Sequence, residues 1–443
     1  MTYNKITKDA LRLLTEPPGK GYFLLQAFNL TLVAIGVAAF VHQVKTGMGV
    51  TGLNNPVGWG AYITTFVFWV GIAHSGTLIS AILFLFRSKW RNAVYRLAEA
   101  MTVFAVLTAG LFPLIHLGRV WKFYWLFPFD YGRKVWINFR SPLVWDVFAV
   151  TTYLTVSSIF FFVGMLPDLA TARDHTTGWR KKLYTLLSLG WQGSHKEWKN
   201  YRQAYFYFAA FATPLVISVH SVVSWDFAMS IVPGWHSTIF APYFVAGAIF
   251  SGVAMVITIL IPLRKIFPFL KDYFTINHLE NLAKMMLLTG LIVGYAYAVE
   301  YYVVWYSGNA VEWEVFRYRA LGDYIIPFWI MVFCNAILPL SLFIKKVRRS
   351  VPALFVISLL VNVGMWFERF NIIVTSLAHE YIPHAWGLYK PSPVEMAIFA
   401  GSFGWFFFLL LTFLKLLPYL PVAELKEIQP LPRRGELHEE VAG

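Results

Sequence analysis

His116 and Arg119 stand three residues apart at the end of a long apolar run, in FPLIHLGRV, and Asp146 opens the next such run in SPLVWDVF. Read as helix, the first two share a face. Ser141 caps the helix that follows, Pro142 takes its first position, and Asp146 falls just past the first turn, where the helix dipole favours a carboxylate. A neutral imidazole accepts a proton from a hydroxyl, and a carboxylate can hold the resulting imidazolium or take the proton onward. His116 and Asp146 are therefore the candidate catalytic pair. Arg119 could stabilise an anionic intermediate or hold Asp146 in place. The competing reading is a structural Arg119–Asp146 pair with His116 as a bystander.

Other ionisable residues lie within or at the ends of apolar runs, where burial costs several kcal/mol unless the group is satisfied. Asp226, His236 and Glu300, with His220, fall at the same level as His116 and could extend the site to bind substrate. Alternatively they face water or dock an external partner. His74 and Ser75, followed by Thr77 and Ser80, read either as one side of a hydrated proton path or as hydrogen bonding between helices. Glu99, and Lys284 with Glu280 and His278, begin runs at the opposite end. With Glu368 and Arg369, deep in GMWFERFNII, they could complete such a path, although charges at helix ends also snorkel. Neighbours on a helix point about 100° apart, so Glu368 and Arg369 are expected to pair with other helices rather than with each other.

The elements that must position these groups follow from composition. The 443 residues are 58% hydrophobic and 14% charged, against about 25% charged in soluble proteins, which implies an all-α polytopic membrane protein. Ten runs are long enough to cross a bilayer: 22–44, 57–86, 97–120, 142–167, 203–225, 238–263, 277–305, 322–344, 351–380 and 393–418. An even number leaves both termini on one face. Of the Lys and Arg residues, 26 fall in the terminal segments and the even-numbered loops, and nine, including Arg133 and Lys134, in the opposite loops. That asymmetry places both termini in the cytoplasm and His116, Arg119 and Asp146 at the outer interface. The first 21 residues lack the features of a cleavable signal peptide. The net charge of +14 is explained by topology and implies no nucleic acid. One thiol, Cys334, makes no intrachain disulfide and holds no iron–sulfur cluster, which needs about four ligands. No metal site, phosphate loop, haem-attachment motif or nucleophile elbow is legible.

Spans two and six match without gaps at Gly58/Gly234, Trp59/Trp235, Gly71/Gly247, Ser75/Ser251 and Gly76/Gly252, all offset by 176. Asp146 and Asp323 are offset by 177, and Glu99 and Glu280 are comparably placed. The expected architecture is two four-helix bundles in parallel duplication, 57–225 and 226–380, with peripheral helices in 22–56 and 381–418 and cytoplasmic segments at 1–21 and 419–443. Small residues on one face permit close helix packing.

The stretches GWGAYITTFVFWVGIAHSGTLISAILFLF, AEAMTVFAVLTAGLFPLIHLGR, RSPLVWDVFAV and PGWHSTIFAPYFVAGAIFSG resemble the NrfD/polysulfide-reductase family of membrane subunits. The resemblance spans about residues 20–420 and is nearest to the ten-span quinol-oxidising subunits of bacterial alternative complex III. It implies two four-helix bundles and a quinol pocket at the periplasmic face, lined by a His on span three and an Asp opening span four, which match His116 and Asp146. It also implies a periplasmic iron–sulfur subunit, multihaem c-type cytochrome subunits and a second NrfD-like membrane subunit as partners, with clusters and haems held by those partners. The expected function is quinol oxidation, with menaquinol or ubiquinol as substrate, in a respiratory or photosynthetic electron-transfer chain, possible proton translocation included. The rivals are a secondary transporter, which would concentrate polar groups at mid-membrane rather than at the outer end, and a non-catalytic membrane anchor of the same complex.

Overall fold

The computed structural model describes residues 2–129 and 138–429; Arg133, Lys134 and the last 14 residues lie outside the described residues. Among the described residues the regular structure is helical throughout, and ten helices are long and apolar enough to cross a membrane. Numbered as spans one to ten, they are Lys20–Thr46, Ala61–Leu85, Arg91–His116, Pro142–Asp174, His195–Ala228, Phe240–Ile266, Ile276–Ser307, Ile325–Phe343, Val351–Ala378 and Pro393–Leu416.

Spans three and four run past the ends of their apolar stretches because charges there are paired inside the protein. Span three begins at Arg91, well before residue 97, since Arg91 and Arg96 are 3% and 0% exposed. Arg96 Nη2 meets Asp168 Oδ2 at 2.8 Å, and the same pair carries span four beyond residue 167. Arg91 and Arg96 are thus not loop residues. The N-terminal segment also gains structure: Thr2 caps a helix over Tyr3–Thr15 that buries Ile6, Ala10, Leu11, Leu13 and Leu14.

Contacts between spans follow chain order. Spans two, three, four and five touch in a closed ring, and spans six, seven, eight and nine do the same. Spans one and ten pair with each other against spans two and three. At the seam between the rings, span two crosses span six. The repeat-matched Trp59 and Trp235 stack at 5.8 Å, and a side chain on Gly252 would collide with Ser75 Oγ at 2.3 Å. Local irregularities shape the spans, among them a π-helical turn over Leu78–Ile82 in span two. Pro113 has no N–H for the carbonyl of Ala109, and span three breaks at Gly110. Span eight holds a π-helical turn over Phe333–Ile337, which turns Cys334 and Asn335 inward.

Candidate functional site

Span three ends at His116. Gly118, at φ +67°, takes the left-handed conformation that closes the helix, and the chain leaves in a new direction. Arg119 therefore does not share a helical face with His116; it is exposed and lies outside the helix. Gln43 of span one fixes the last turn instead. It is fully buried, donates through Nε2 to the Ile115 carbonyl at 3.0 Å and accepts from the Tyr62 hydroxyl at 2.5 Å. The Nδ1 atom of His116 is buried with no hydrogen-bond partner.

Asp146 lies one turn into span four, behind Ser141 and Pro142 as expected, although the Ser141 side chain makes no capping bond. It is 7% exposed. Its neighbour is neither His116 nor Arg119 but Asp226, at the end of span five, whose carboxyl lies within hydrogen-bonding reach. Trp145 and Trp225 meet edge to face at 6.0 Å and bring the two spans into register. Both acids thus belong to a Trp-Asp dipeptide, a signal present in the sequence that residue type and run ends alone pass over. Two carboxyls bond each other only when one carries a proton, because an ionised carboxylate only accepts. Oδ1 of each remains buried without a donor. The site has proton capacity and open acceptors at the membrane end where His116 also sits.

The other candidates are dispersed. His236 is exposed and meets Glu312 at 2.9 Å in the segment between spans seven and eight. Glu300 lines a separate cavity in the second ring with Tyr243, Tyr297 and Arg319. Neither joins Asp146, because spans six and seven stand across the seam.

Mid-depth is more polar than the sequence suggested. His74 and His220 are 1% and 0% exposed, with ring centroids 4.5 Å apart, and both nitrogens of His220 lack partners. Glu368 and Arg369 do pair with each other, at 2.7 Å, contrary to expectation. The long guanidinium side chain curls back to the Met365 carbonyl and so brings its head beside its neighbour. Gly71 and Gly247, matched in the repeat, flank that guanidinium. Glu368 also accepts from Tyr297, which accepts from Asn335 on the π turn at 2.9 Å. Tyr297 and Asn335 were not anticipated; neither is charged.

Toward the termini, Glu99 is buried and accepts from the Tyr205 hydroxyl at 3.3 Å. Thr102, one turn from Glu99, and Thr77, one turn from His74, bond the Ala73 carbonyl and Tyr153 respectively. Ser75 is buried against Gly252. Lys284 is more than half exposed beside Glu280, which Arg348 and Arg349 also hold, so it stands apart from this interior.

The fold and site define an all-helical integral membrane protein with ionisable groups buried at several depths. Residues 49–379 match the family model described as polysulphide reductase, NrfD, and the chain belongs to that family. It is 26% identical over 404 residues to a putative membrane subunit of dimethyl sulfoxide reductase from Halobacterium salinarum, covering 86% of this chain and 87% of that protein. It is 22% identical to a subunit of selenate reductase from Mesobacillus selenatarsenatis, covering 87% and 91%. It is 21% identical to an Hdr-like menaquinol oxidoreductase integral membrane subunit of Archaeoglobus fulgidus, covering 82% of each.

Proposed function

We propose that this chain is the quinol-oxidising membrane subunit of an electron-transfer complex. The observation that carries the reading is the buried Asp146–Asp226 carboxyl pair, with an acceptor oxygen free on each, at the membrane end where His116 keeps an unpartnered nitrogen. The names of the relatives, all subunits of reductases or oxidoreductases and one of them a menaquinol oxidoreductase, support the same substrate class. A quinol headgroup enters from the bilayer, its tail remaining in lipid. His116 accepts a hydrogen bond from one hydroxyl. The two hydroxyl protons leave in turn, one with each electron, to the aspartate pair, which releases each on the face opposite the termini. Two electrons leave singly to an iron–sulfur subunit on that face and then to c-type haems, as in complexes of the alternative complex III kind, which would include a second NrfD-like subunit. The chain supplies position and proton acceptors.

Proton movement through the membrane is the second reading. The unpartnered His220, its contact with His74, and the hydroxyls of Thr77, Thr102 and Tyr153 between the levels of His74 and Glu99 favour it. This mid-depth polarity also lends weight to the transporter alternative. The oxidoreductase relatives weigh against that alternative.

The test is quinol-dependent turnover of the purified native complex carrying His116→Ala, Asp146→Asn or Asp226→Asn. Each change is expected to lower turnover at least about tenfold, the usual scale for loss of a general base. Wild-type turnover in a fully assembled variant complex would leave only an anchor.

A further inference from the structure

The second ring holds a cavity of about 280 Å³ among spans six to nine and the helix Ala310–Leu321. Two of its polar side chains are more than nine-tenths buried and unsatisfied. Glu300 is 9% exposed with no donor on Oε1, and Asn371 is 2% exposed with no donor on Oδ1. Arg319, 4% exposed, gives Nε to Thr375 at 2.6 Å and Nη2 to Ser376 at 2.5 Å, and forms no ion pair with a carboxylate among the described residues. Three of its five N–H groups therefore remain for something else. The walls are aromatic, with Tyr243 and Tyr297 edge to face at 5.8 Å.

The cavity opens sideways. Gly294 and Ala298 of span seven and Val332 and Ala336 of span eight line it and are partly or fully exposed. The exposed apolar side chains of Leu291, Phe333 and Ile337 flank that mouth. Such an opening faces bilayer, so an occupant arrives dissolved in lipid. Its volume lies at the small end of ligand pockets, roughly 300–1,000 Å³, enough for a ring but not a long tail. A π-helical turn in span eight sits beside the mouth, and such turns are frequent at functional sites.

We propose that this cavity is a second binding site for a quinone-type headgroup, a flat ring bearing carbonyl or hydroxyl oxygens, distinct from the His116 and Asp146 site. Arg319 donates to a ring oxygen, Glu300 and Asn371 accept from ring hydroxyls, and the tail leaves between spans seven and eight. The inference rests on the quinol reading only for the class of ligand.

The experiment is photolabelling of the native complex in lipid nanodiscs with an azido-quinone, followed by mapping of labelled peptides. Two sets are expected, one from spans three to five and one from spans seven and eight. Ala336→Phe or Gly294→Leu, which fill the mouth, should remove the second set and leave the first. Glu300→Gln keeps the shape and should weaken labelling of the second set about tenfold, the cost of one hydrogen bond to a charged group. Label confined to spans three to five overturns the second site, reduces the cavity to one filled by water, and leaves the first reading standing. Label confined to spans seven and eight does the reverse, and no label sinks both. Label on the second set that survives both plugging changes marks lipid-facing surface and also overturns the proposal.

Discussion

Gln43 governs the position of His116 although it has no chemistry of its own. Its amide spends one end on the Ile115 carbonyl and the other on the Tyr62 hydroxyl, and the three groups sit on three different spans. Gln43→Leu leaves the buried Tyr62 hydroxyl without its acceptor, a cost of about 1–3 kcal/mol, and leaves the Ile115 carbonyl only the longer backbone bond from Gly118 at 3.4 Å, which loosens the last turn of span three. The expected result is a fall in kcat for quinol of ten- to roughly a hundredfold with KM little changed, because positioning is lost while the pocket remains. A kcat equal to wild type would show that His116 is held by other means. The identity of His116 and Asp146 as candidates was readable from residue type and run ends. That Asp146 faces Asp226 was not, because the pairing of one helix's start with the end of the next depends on how spans four and five pack.

Span boundaries show the same division at the level of elements. Apolar runs located all ten spans, yet Arg91, Arg96 and Asp168 read as run ends because a sequence shows charge and not partner. Once Arg96 meets Asp168, both belong to the interior. Likewise the π turn in span eight and the break at Gly110 leave no periodicity that marks them in advance, although Pro113 hints at the second. The buried pair carries its own prediction. Arg96→Met strands Asp168 and should cost about 3–5 kcal/mol, seen as a lower thermal midpoint of the complex in nanodiscs. Arg96→Met with Asp168→Leu removes both charges and should recover most of that loss, since apolar replacement of a buried pair is often neutral. A double variant as unstable as the single one would place the stability in the other bonds of Arg96, such as that to the Gly164 carbonyl.

Across the whole molecule, the side on which His116 opens decides whether quinol oxidation adds to or subtracts from a proton gradient. Ten crossings put the termini on one face and the end of span three on the other. We propose the absolute direction, termini in the cytoplasm, from the excess of Lys and Arg in the terminal segments and their companion loops, an excess that survives the removal of the buried Arg91 and Arg96 from the count. Cys334 is the only cysteine and is buried, so the chain is suited to labelling of introduced thiols after Cys334→Ala. Lys182 lies exposed between spans four and five, and Arg317 lies exposed between spans seven and eight on the opposite face. In intact cells a membrane-impermeant maleimide should modify Arg317→Cys and spare Lys182→Cys, and permeabilised cells should show both. Protons taken by Asp146 and Asp226 would then leave outside and strengthen the gradient. The reverse labelling pattern would turn both candidate quinone sites toward the cytoplasm, and the same chemistry would release its protons on the side where the cell has no use for them.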